Sequence, residues 1–178
     1  MCGIVGYSGR RKTAAILLEG LRRLEYRGYD SAGIALGSES SLTVVKSVGK
    51  ISALKASLPA LLEGTWGIGH TRWATHGGVT QANAHPHTDG SGKLAVVHNG
   101  IIENHRALKA MLEHKGCVFV SETDTEVIPH LIMQYYHGDL LEAVKEALPK
   151  LQGTYGIACV HADEPGRIVG AAHETRKG

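Results

Sequence analysis

Short strand patterns edged by glycine lie near both ends of the sequence, with helical patterns between them. Residues 3–8 and 32–36 predict strands early in the chain, and residues 155–160 and 167–171 predict strands near its end. Because helices and sheets must each bury an apolar face, this order predicts layered packing, with helices outside two facing sheets. The spacing alone does not determine which strands pair.

Hydrophobic period and capping residues predict the remaining elements. Leu17 and Leu21 belong to the apolar face of a first helix, which we expect to end by Gly28. Thr123 and Glu126 have the spacing of a capping box, in which each side chain bonds the other residue's backbone N–H. The predicted helices cover residues 14–24, 51–62, 104–114, 123–137 and 139–149, and further predicted strands cover residues 42–48, 94–98 and 117–120.

One long stretch has no clear period. Residues 70–92 are rich in threonine, histidine, asparagine and glycine, without being of low complexity. Loops of this length inside a compact domain are usually functional or disordered. We therefore predict that this segment carries functional residues.

Composition excludes several classes of protein. Of the 178 residues, 43% are hydrophobic and 20% are charged, which is typical of one globular domain covering residues 1–178. The net charge is only +2, and the basic run Arg10, Arg11 and Lys12 is not interleaved with aromatic residues, so we expect no nucleic-acid partner. No apolar run approaches the roughly 18 residues of a membrane span, and no signal peptide is recognisable. With three cysteines that need no pairing, we expect a cytoplasmic protein without membrane contact.

The second residue, Cys2, is a candidate nucleophile. A side chain this small permits removal of Met1, which would leave a thiol and a free α-amine on one residue. The α-amine titrates at roughly pH 8 and can accept the thiol proton, so nucleophile and base would be combined. Cys117 and Cys159 lie in apolar runs, which favours buried structural roles for them.

Several blocks of sequence carry a family resemblance. Residues 2–6 (CGIVG) resemble the beginning of the class II glutamine amidotransferases, whose glutaminase domains are N-terminal nucleophile hydrolases. The glucosamine-6-phosphate synthase branch of that family is resembled in particular by residues 23–33, 70–77, 84–87, 98–104 and 121–126. The blocks follow the family's order, which makes coincidence negligible.

The resemblance implies an α+β fold, a four-layer αββα sandwich of the N-terminal nucleophile hydrolase type. It implies hydrolysis of L-glutamine to glutamate and ammonia through a thioester on Cys2, with no cofactor. In the family, the ammonia passes to a sugar-phosphate isomerase domain of the same longer chain, which makes glucosamine 6-phosphate from fructose 6-phosphate. On this basis residues 1–178 are the glutaminase domain of a longer, homo-oligomeric synthase whose isomerase domain is absent here.

The resemblance also assigns the catalytic roles. Besides Cys2, it places the oxyanion hole at the side-chain amide of Asn99 and the backbone N–H of Gly100, and it gives Arg27 a role in ordering the site. Asparagine donates hydrogen bonds without changing charge, and glycine allows close backbone approach. The alternative for Asn99 and Gly100 is a tight turn between strands.

The substrate-binding roles follow in the same way. The resemblance implies that Arg72 holds the α-carboxylate of glutamine and Asp124 its α-ammonium group, while Trp73, Thr75 and His76 lie on a loop that folds over the substrate. The planar guanidinium suits a carboxylate. The alternatives are a surface ion pair for Arg72, a helix N-terminal position for Asp124 and ordinary packing for Trp73.

Five histidines within 29 residues raise the question of a metal site, namely His70, His76, His85, His87 and His98. Their spacing fits no helical metal motif and no paired cysteines accompany them, so we expect no metal. Two other functions stay open. The chain could be the glutaminase domain of another class II amidotransferase, from the purine-pathway or asparagine-forming enzymes, or a non-catalytic module that binds glutamine and regulates a partner.

Overall fold

A computed structural model describes residues 2–174 and contains two four-stranded antiparallel sheets. The first sheet has the order β1-β4-β2-β3 and the second the order β5-β6-β7-β8. The strands of the first sheet are β1 (Gly3–Ser8), β2 (Ser31–Ser38), β3 (Ser41–Val48) and β4 (Trp66–Arg72). Those of the second are β5 (His87–Thr88), β6 (Leu94–Ile102), β7 (Gly153–His161) and β8 (Val169–His173).

Helices cover the outer face of each sheet. Residues 2–174 contain five α-helices, which are α1 (Thr13–Arg23), α2 (Ile51–Ala56), α3 (His105–His114), α4 (Val127–Met133) and α5 (Leu140–Ala147). Short 3-10 helices cover Glu25–Arg27 and Leu148–Lys150. Helices α1 and α2 pack on the first sheet, and the other three pack on the second. Among residues 2–174, no helix combines the length and the apolarity that a membrane crossing requires.

The alternation of side chains along the strands produces the layers. On β2, Ile34 packs under α1 and α2, whereas its neighbour Ala35 points between the two sheets. On β6, Val96 packs under the second helical layer and Val97 points between the sheets. Each sheet therefore buries both faces, and the molecule has four layers in the order helix, sheet, sheet, helix.

Strand β4 lies between β1 and β2, and all seven of its residues are buried. No part of this strand was predicted from the sequence: residues 66–69 were assigned to no element, and residues 70–72 were wrongly placed in the long stretch without a clear period. Glycine alternates with larger residues along β4. Gly69 lies directly beneath α1, where an added Cβ would be 3.1 Å from Leu21 Cδ1. Two buried faces and two interior glycines remove the polar–apolar alternation by which a strand is usually found.

Residues 117–120 were wrongly predicted as a strand. They pair with no strand, and the side chains of Val118 and Val120 are exposed. The carboxylate of Glu126 accepts hydrogen bonds from the backbone N–H groups of Val120 and Ser121, at 2.9 and 2.7 Å, and so replaces part of a strand ladder.

The same carboxylate explains why the predicted capping box is wrong. Glu126 bonds the preceding segment and not the backbone of Thr123, and α4 begins only at Val127 and ends at Met133. By contrast, Asp139 does cap α5, accepting from the N–H groups of Leu141 and Glu142. Helix α2 is also shorter than predicted and ends at Ala56.

Candidate active site

A cavity of about 520 Å³ lies where β1 and β4 of the first sheet meet β6 of the second. This volume is within the usual range for small-molecule sites. Eight of the nine predicted site residues line it, namely Cys2, Arg72, Trp73, Thr75, His76, Asn99, Gly100 and Asp124. Residues that the sequence analysis did not assign to the site also line it, namely His85, His98, Ile101, Thr123, Thr125 and Thr154. The cavity therefore brings together residues of the first family block, residues 2–6, and of the last, residues 121–126.

The ninth residue, Arg27, is not among the described residues that line the cavity. It ends the 3-10 helix that precedes Gly28, and its Nε donates to the Tyr26 hydroxyl at 3.2 Å. A Cβ added to Gly28 would lie 3.3 Å from the Trp73 ring, so this turn packs beside the rim of the cavity. The role of Arg27 stays a prediction.

Strand pairing positions the candidate nucleophile. Gly3 of β1 is in register with Thr71 of β4, so Cys2, which precedes β1, lies beside the end of β4. There the backbone N–H of Trp73 donates to Cys2 Sγ at 3.2 Å. Met1, whose removal would free the α-amine of Cys2, lies outside the described residues.

The other two thiols are in different surroundings. Burial raises the pKa of Cys159 to about 12, and its thiol donates to the Val169 carbonyl at 3.4 Å. Burial also raises the pKa of Cys117. Since the thiolate is the reactive form, neither thiol is placed to compete with Cys2 as a nucleophile.

Asn99 and Gly100 lie inside β6, so the alternative of a tight turn is wrong. Asn99 Oδ1 is 2.7 Å from Nε2 of His70, which lies on β4 of the other sheet. Gly100 has φ 132°, and an added Cβ would lie 2.1 Å from the Thr154 carbonyl oxygen. Only glycine fits this position, which keeps the backbone at the cavity wall uncovered.

A cation and an anion face the same cavity. The Arg72 side chain is 4% exposed, so it is not in a surface ion pair; it donates to the carbonyl oxygens of His76, Gly77 and Gly78. Asp124 lies before α4 begins, and its Oδ2 accepts from the Ile102 N–H at 2.8 Å. Backbone groups hold both charged side chains in place. A cation and an anion at the same cavity suit a ligand that carries both a carboxylate and an ammonium group.

Asp30 supports this region, although sequence reasoning gave it no role. Its Oδ1 is 3.8 Å from the Arg72 guanidinium, and its Oδ2 accepts from the backbone N–H of Ala74. Asp30 therefore ties Arg72 to the beginning of the segment that carries Trp73, Thr75 and His76. Its position within the 23–33 block was the signal that could have indicated it.

The segment after β4 forms the rim. The side chain of Trp73 is 55% exposed, so ordinary core packing does not account for it. His76 Nδ1 is 3.9 Å from Asp124 Oδ1, so the rim reaches across the cavity to the anionic wall. Within the described part of the chain, no three His, Cys, Asp or Glu side chains are grouped so as to hold a metal ion.

The four-layer sandwich places a thiol at the beginning of an edge strand and an amide from the facing sheet in one cavity, which is the arrangement that the resemblance to the N-terminal nucleophile amidohydrolases implies. The profile of the family described as "Glutamine amidotransferase domain" matches residues 70–174, more than half of the chain. The chain therefore belongs to the glutamine amidotransferase domain family.

Similar proteins support this family assignment. The chain is 60% identical over 170 residues to glutamine–fructose-6-phosphate aminotransferase (isomerizing) of Symbiobacterium thermophilum, covering 95% of this chain and 28% of that protein. It is 57% identical over 164 residues to the enzyme of the same name from Thermus thermophilus, covering 92% and 27%. The chain thus spans little more than a quarter of the length of these relatives.

Solved structures confirm the predicted fold class. Glutamine phosphoribosylpyrophosphate amidotransferase from B. subtilis aligns with a TM-score of 0.77 at 31% identity, covering 91% of this chain and 35% of that one. A structure described as the allosteric regulatory enzyme of purine biosynthesis aligns with a TM-score of 0.78 at 32% identity, covering 91% and 36%. The α+β sandwich is therefore that of the N-terminal nucleophile amidotransferases.

Proposed function

We propose that this domain hydrolyses L-glutamine to glutamate and ammonia through a thioester on Cys2. The observation that carries the proposal is the shared cavity, in which the Cys2 thiol, the Asn99–Gly100 pair, a buried guanidinium and a buried carboxylate meet. Glutamine carries an α-carboxylate, an α-ammonium group and a carboxamide, and each has a complementary group on the cavity wall.

The chemistry divides between the two ends of glutamine. Arg72 binds the α-carboxylate and Asp124 the α-ammonium, so the carboxamide is directed to Cys2. Trp73, Thr75 and His76 cover the bound substrate and exclude water, and Arg27 orders the turn beside Trp73. Fixing the substrate in this way converts binding energy into orientation of the reacting carbonyl.

Two steps follow. Cys2 Sγ attacks the carboxamide carbon, the thiol proton passes to the α-amine freed by Met1 removal, and the oxyanion accepts hydrogen bonds from Asn99 and Gly100. The amine then protonates the departing nitrogen, ammonia leaves, and a γ-glutamyl thioester remains. Water adds to the thioester and releases glutamate and the free thiol, so that the net reaction is hydrolysis without a cofactor.

We also propose that residues 1–178 form the glutaminase domain of a longer, homo-oligomeric cytoplasmic synthase. The ammonia would pass to a sugar-phosphate isomerase domain of the same chain and convert fructose 6-phosphate to glucosamine 6-phosphate. Identity of 50–60% to the curated aminotransferases supports this acceptor. The two solved amidotransferase structures are 31% and 32% identical in sequence to this chain, so they give less support to the acceptor of a purine-pathway enzyme.

The test is covalent labelling by an electrophilic glutamine analogue, followed by intact and peptide mass measurement. We expect a chain lacking Met1, with one adduct on Cys2 that excess glutamine suppresses. The Cys2→Ala variant should take up no label, and the Cys117→Ala variant should be labelled like the unmodified sequence. A Met1-free chain without an adduct, or with an adduct on Cys117 or Cys159, would contradict the mechanism and favour the non-catalytic module.

A further inference from the structure

Four of the five clustered histidines form a buried group beneath the cavity. His70, His85, His87 and His98 each have no more than 4% of their surface exposed. The His70 and His85 rings stack with centroids 4.3 Å apart, and the His85 and His87 rings meet edge to face at 4.7 Å. The group touches the cavity from below, and the mechanism above gives it no role.

These imidazoles are neutral near pH 7. Burial lowers the pKa of His70 to about 4, and it lowers the pKa values of His85 and His87 well below the usual 6.5, with the neighbouring rings adding to the effect at His85 and the Lys46 ammonium at His87. Burial also lowers the pKa of His98, against the opposing charge of Asp124. A neutral imidazole has one N–H and one lone pair, so each ring must choose which nitrogen donates.

For His70 the surroundings decide that choice. Its Nδ1 is buried and makes no hydrogen bond of normal geometry among residues 2–174, and the His98 backbone interacts with the ring more weakly than Asn99 does, whereas its Nε2 lies 2.7 Å from Asn99 Oδ1. A hydrogen on Nδ1 would be a buried donor without an acceptor in normal geometry, which is costly. The hydrogen therefore belongs on Nε2, which then donates to the Asn99 side chain.

The position of that hydrogen orients the Asn99 amide. An N–H at Nε2 needs an acceptor, and within the Asn99 side chain only Oδ1 accepts. The amide NH₂ is consequently turned away from His70. In the reverse orientation Oδ1 would face the cavity, where it would repel the developing oxyanion instead of stabilising it.

We propose that His70 is a positioning residue for glutamine hydrolysis, because the hydrogen bond from its Nε2 to Asn99 Oδ1 directs the Asn99 NH₂ toward the oxyanion. The inference rests on the function proposed above, and it adds a specific role for a residue on the opposite sheet. The hydrogen bond joins two sheets, so it also fixes Asn99 relative to β4, which leads to Arg72 and Trp73.

The rest of the group supports the other end of the cavity. The Thr125 hydroxyl lies 2.9 Å from both His85 Nε2 and His98 Nδ1, and the Thr123 hydroxyl lies 3.1 Å from His87 Nε2. These two threonines flank Asp124. The neutral imidazoles thus hold residues 123–125 in place. They present no positive charge that would compete with the substrate ammonium for Asp124.

Two amide substitutions distinguish the effect of the His70 hydrogen bond on kcat from the effect of filling a buried position. The side-chain nitrogen of glutamine can take the place of imidazole Nε2, whereas that of asparagine reaches only the place of Nδ1. We expect His70→Gln to keep kcat within about threefold, and His70→Asn to lower kcat by about 10- to 100-fold with KM for glutamine within about twofold. A loss confined to kcat is the result expected for an interaction made in the transition state.

A double substitution tests whether the effect passes through Asn99. Asn99→Ala should lower kcat by about 100-fold or more. In that background His70→Asn should cause no further loss, because the group that it orients is gone. As a control, His161→Asn changes a buried histidine that stacks on Tyr136 away from the cavity, and kcat should be unchanged.

Each other outcome is decisive. Equal kcat for His70→Gln and His70→Asn, or losses that multiply in the double variant, would overturn the inference while leaving the glutaminase function standing. An Asn99→Ala variant with unchanged kcat, or a Met1-free chain without glutamine turnover, would overturn the proposed function and this inference together. Nitrogen NMR of the unsubstituted protein needs no variant to fold: a hydrogen on Nε2 of His70 supports the proposal, and a hydrogen on Nδ1 overturns it.

Discussion

The backbone N–H of Trp73 donates a hydrogen bond to the Cys2 sulfur at 3.2 Å, across 71 positions of sequence. The contact arises because β1 and β4 are antiparallel neighbours in the first sheet, so that the beginning of β1 lies beside the end of β4. Trp73 is also the first residue of the cavity rim. The position of the thiol is therefore coupled directly to the segment that we propose closes over glutamine.

Gly100→Ala should destabilise the domain by about 3 kcal/mol or more and abolish glutaminase activity. The new Cβ would lie 2.1 Å from the Thr154 oxygen at a φ of 132°, so β6 and β7 could not keep their pairing. Urea unfolding and a glutaminase assay measure the two effects.

Gly156→Ala is the matched control on the adjacent strand. Gly156 pairs with Asn99, and a Cβ there would meet nothing within 4 Å. Its unfolding free energy should change by less than about 1 kcal/mol. Equal losses from the two substitutions would show that the constraint at Gly100 has been misjudged.

Arg72→Lys should raise KM for glutamine by about 10- to 100-fold, because lysine cannot bind a carboxylate through two parallel hydrogen bonds. Lysine also cannot reproduce the bonds to the 76–78 carbonyls, so this segment should become more sensitive to proteolysis. Arg22→Lys, at a site with 64% side-chain exposure on α1, should leave KM unchanged. An unchanged KM for Arg72→Lys would remove this residue from the binding site.

Asp124→Asn should weaken glutamine binding selectively. Asparagine keeps an oxygen for the Ile102 N–H but loses the negative charge. We expect KM for glutamine to rise by about 10-fold or more. Glutaramate, which lacks the α-ammonium group, provides the comparison: the preference for glutamine over glutaramate should largely disappear in the variant. A preference that survives would show that another group binds the ammonium.

Acidification should destabilise the domain before most carboxylates titrate. The native pKa of His70 is about 4 against 6.5 for an unperturbed histidine, so between these values the unfolded chain binds a proton that the native state refuses. The free energy of unfolding should thus be highest above pH 6.5, fall as the pH falls, and lose about 3 kcal/mol from this residue by about pH 4.

Urea unfolding at a series of pH values measures this loss. His85 and His87, whose pKa values are also lowered by burial, should add to it in the same direction. The His70→Gln variant has no ring to protonate, so its pH dependence should be shallower. Parallel curves for the two proteins would show that His70 does not remain neutral in the native state.

Local sequence pattern was sufficient for many elements because their signals are short-range. The strand predicted at residues 3–8 matches Gly3–Ser8, and the helix predicted at residues 139–149 contains α5, Leu140–Ala147. The pattern failed where distant contacts replace local ones. Residues 117–120 have strand composition, but the Glu126 carboxylate accepts hydrogen bonds from backbone N–H groups that would otherwise bond a neighbouring strand.

The motif blocks were enough to indicate the family, because chemically demanding positions accept few residue types. Eight of the nine predicted site residues lie around one cavity. Arg27 shows the limit of the blocks, since membership of a motif did not place it at the cavity wall.

The arrangement that orients those residues depends on the packing of the two sheets. His70 and Asn99 are 29 positions apart and on different sheets, and nothing in either local segment indicates that they meet at 2.7 Å. The same is true of the buried imidazoles: their spacing in the sequence argued against a metal site, but it indicated neither their burial nor their threonine partners. Period and propensity describe one element at a time, whereas hydrogen-bond direction and protonation depend on which elements face each other.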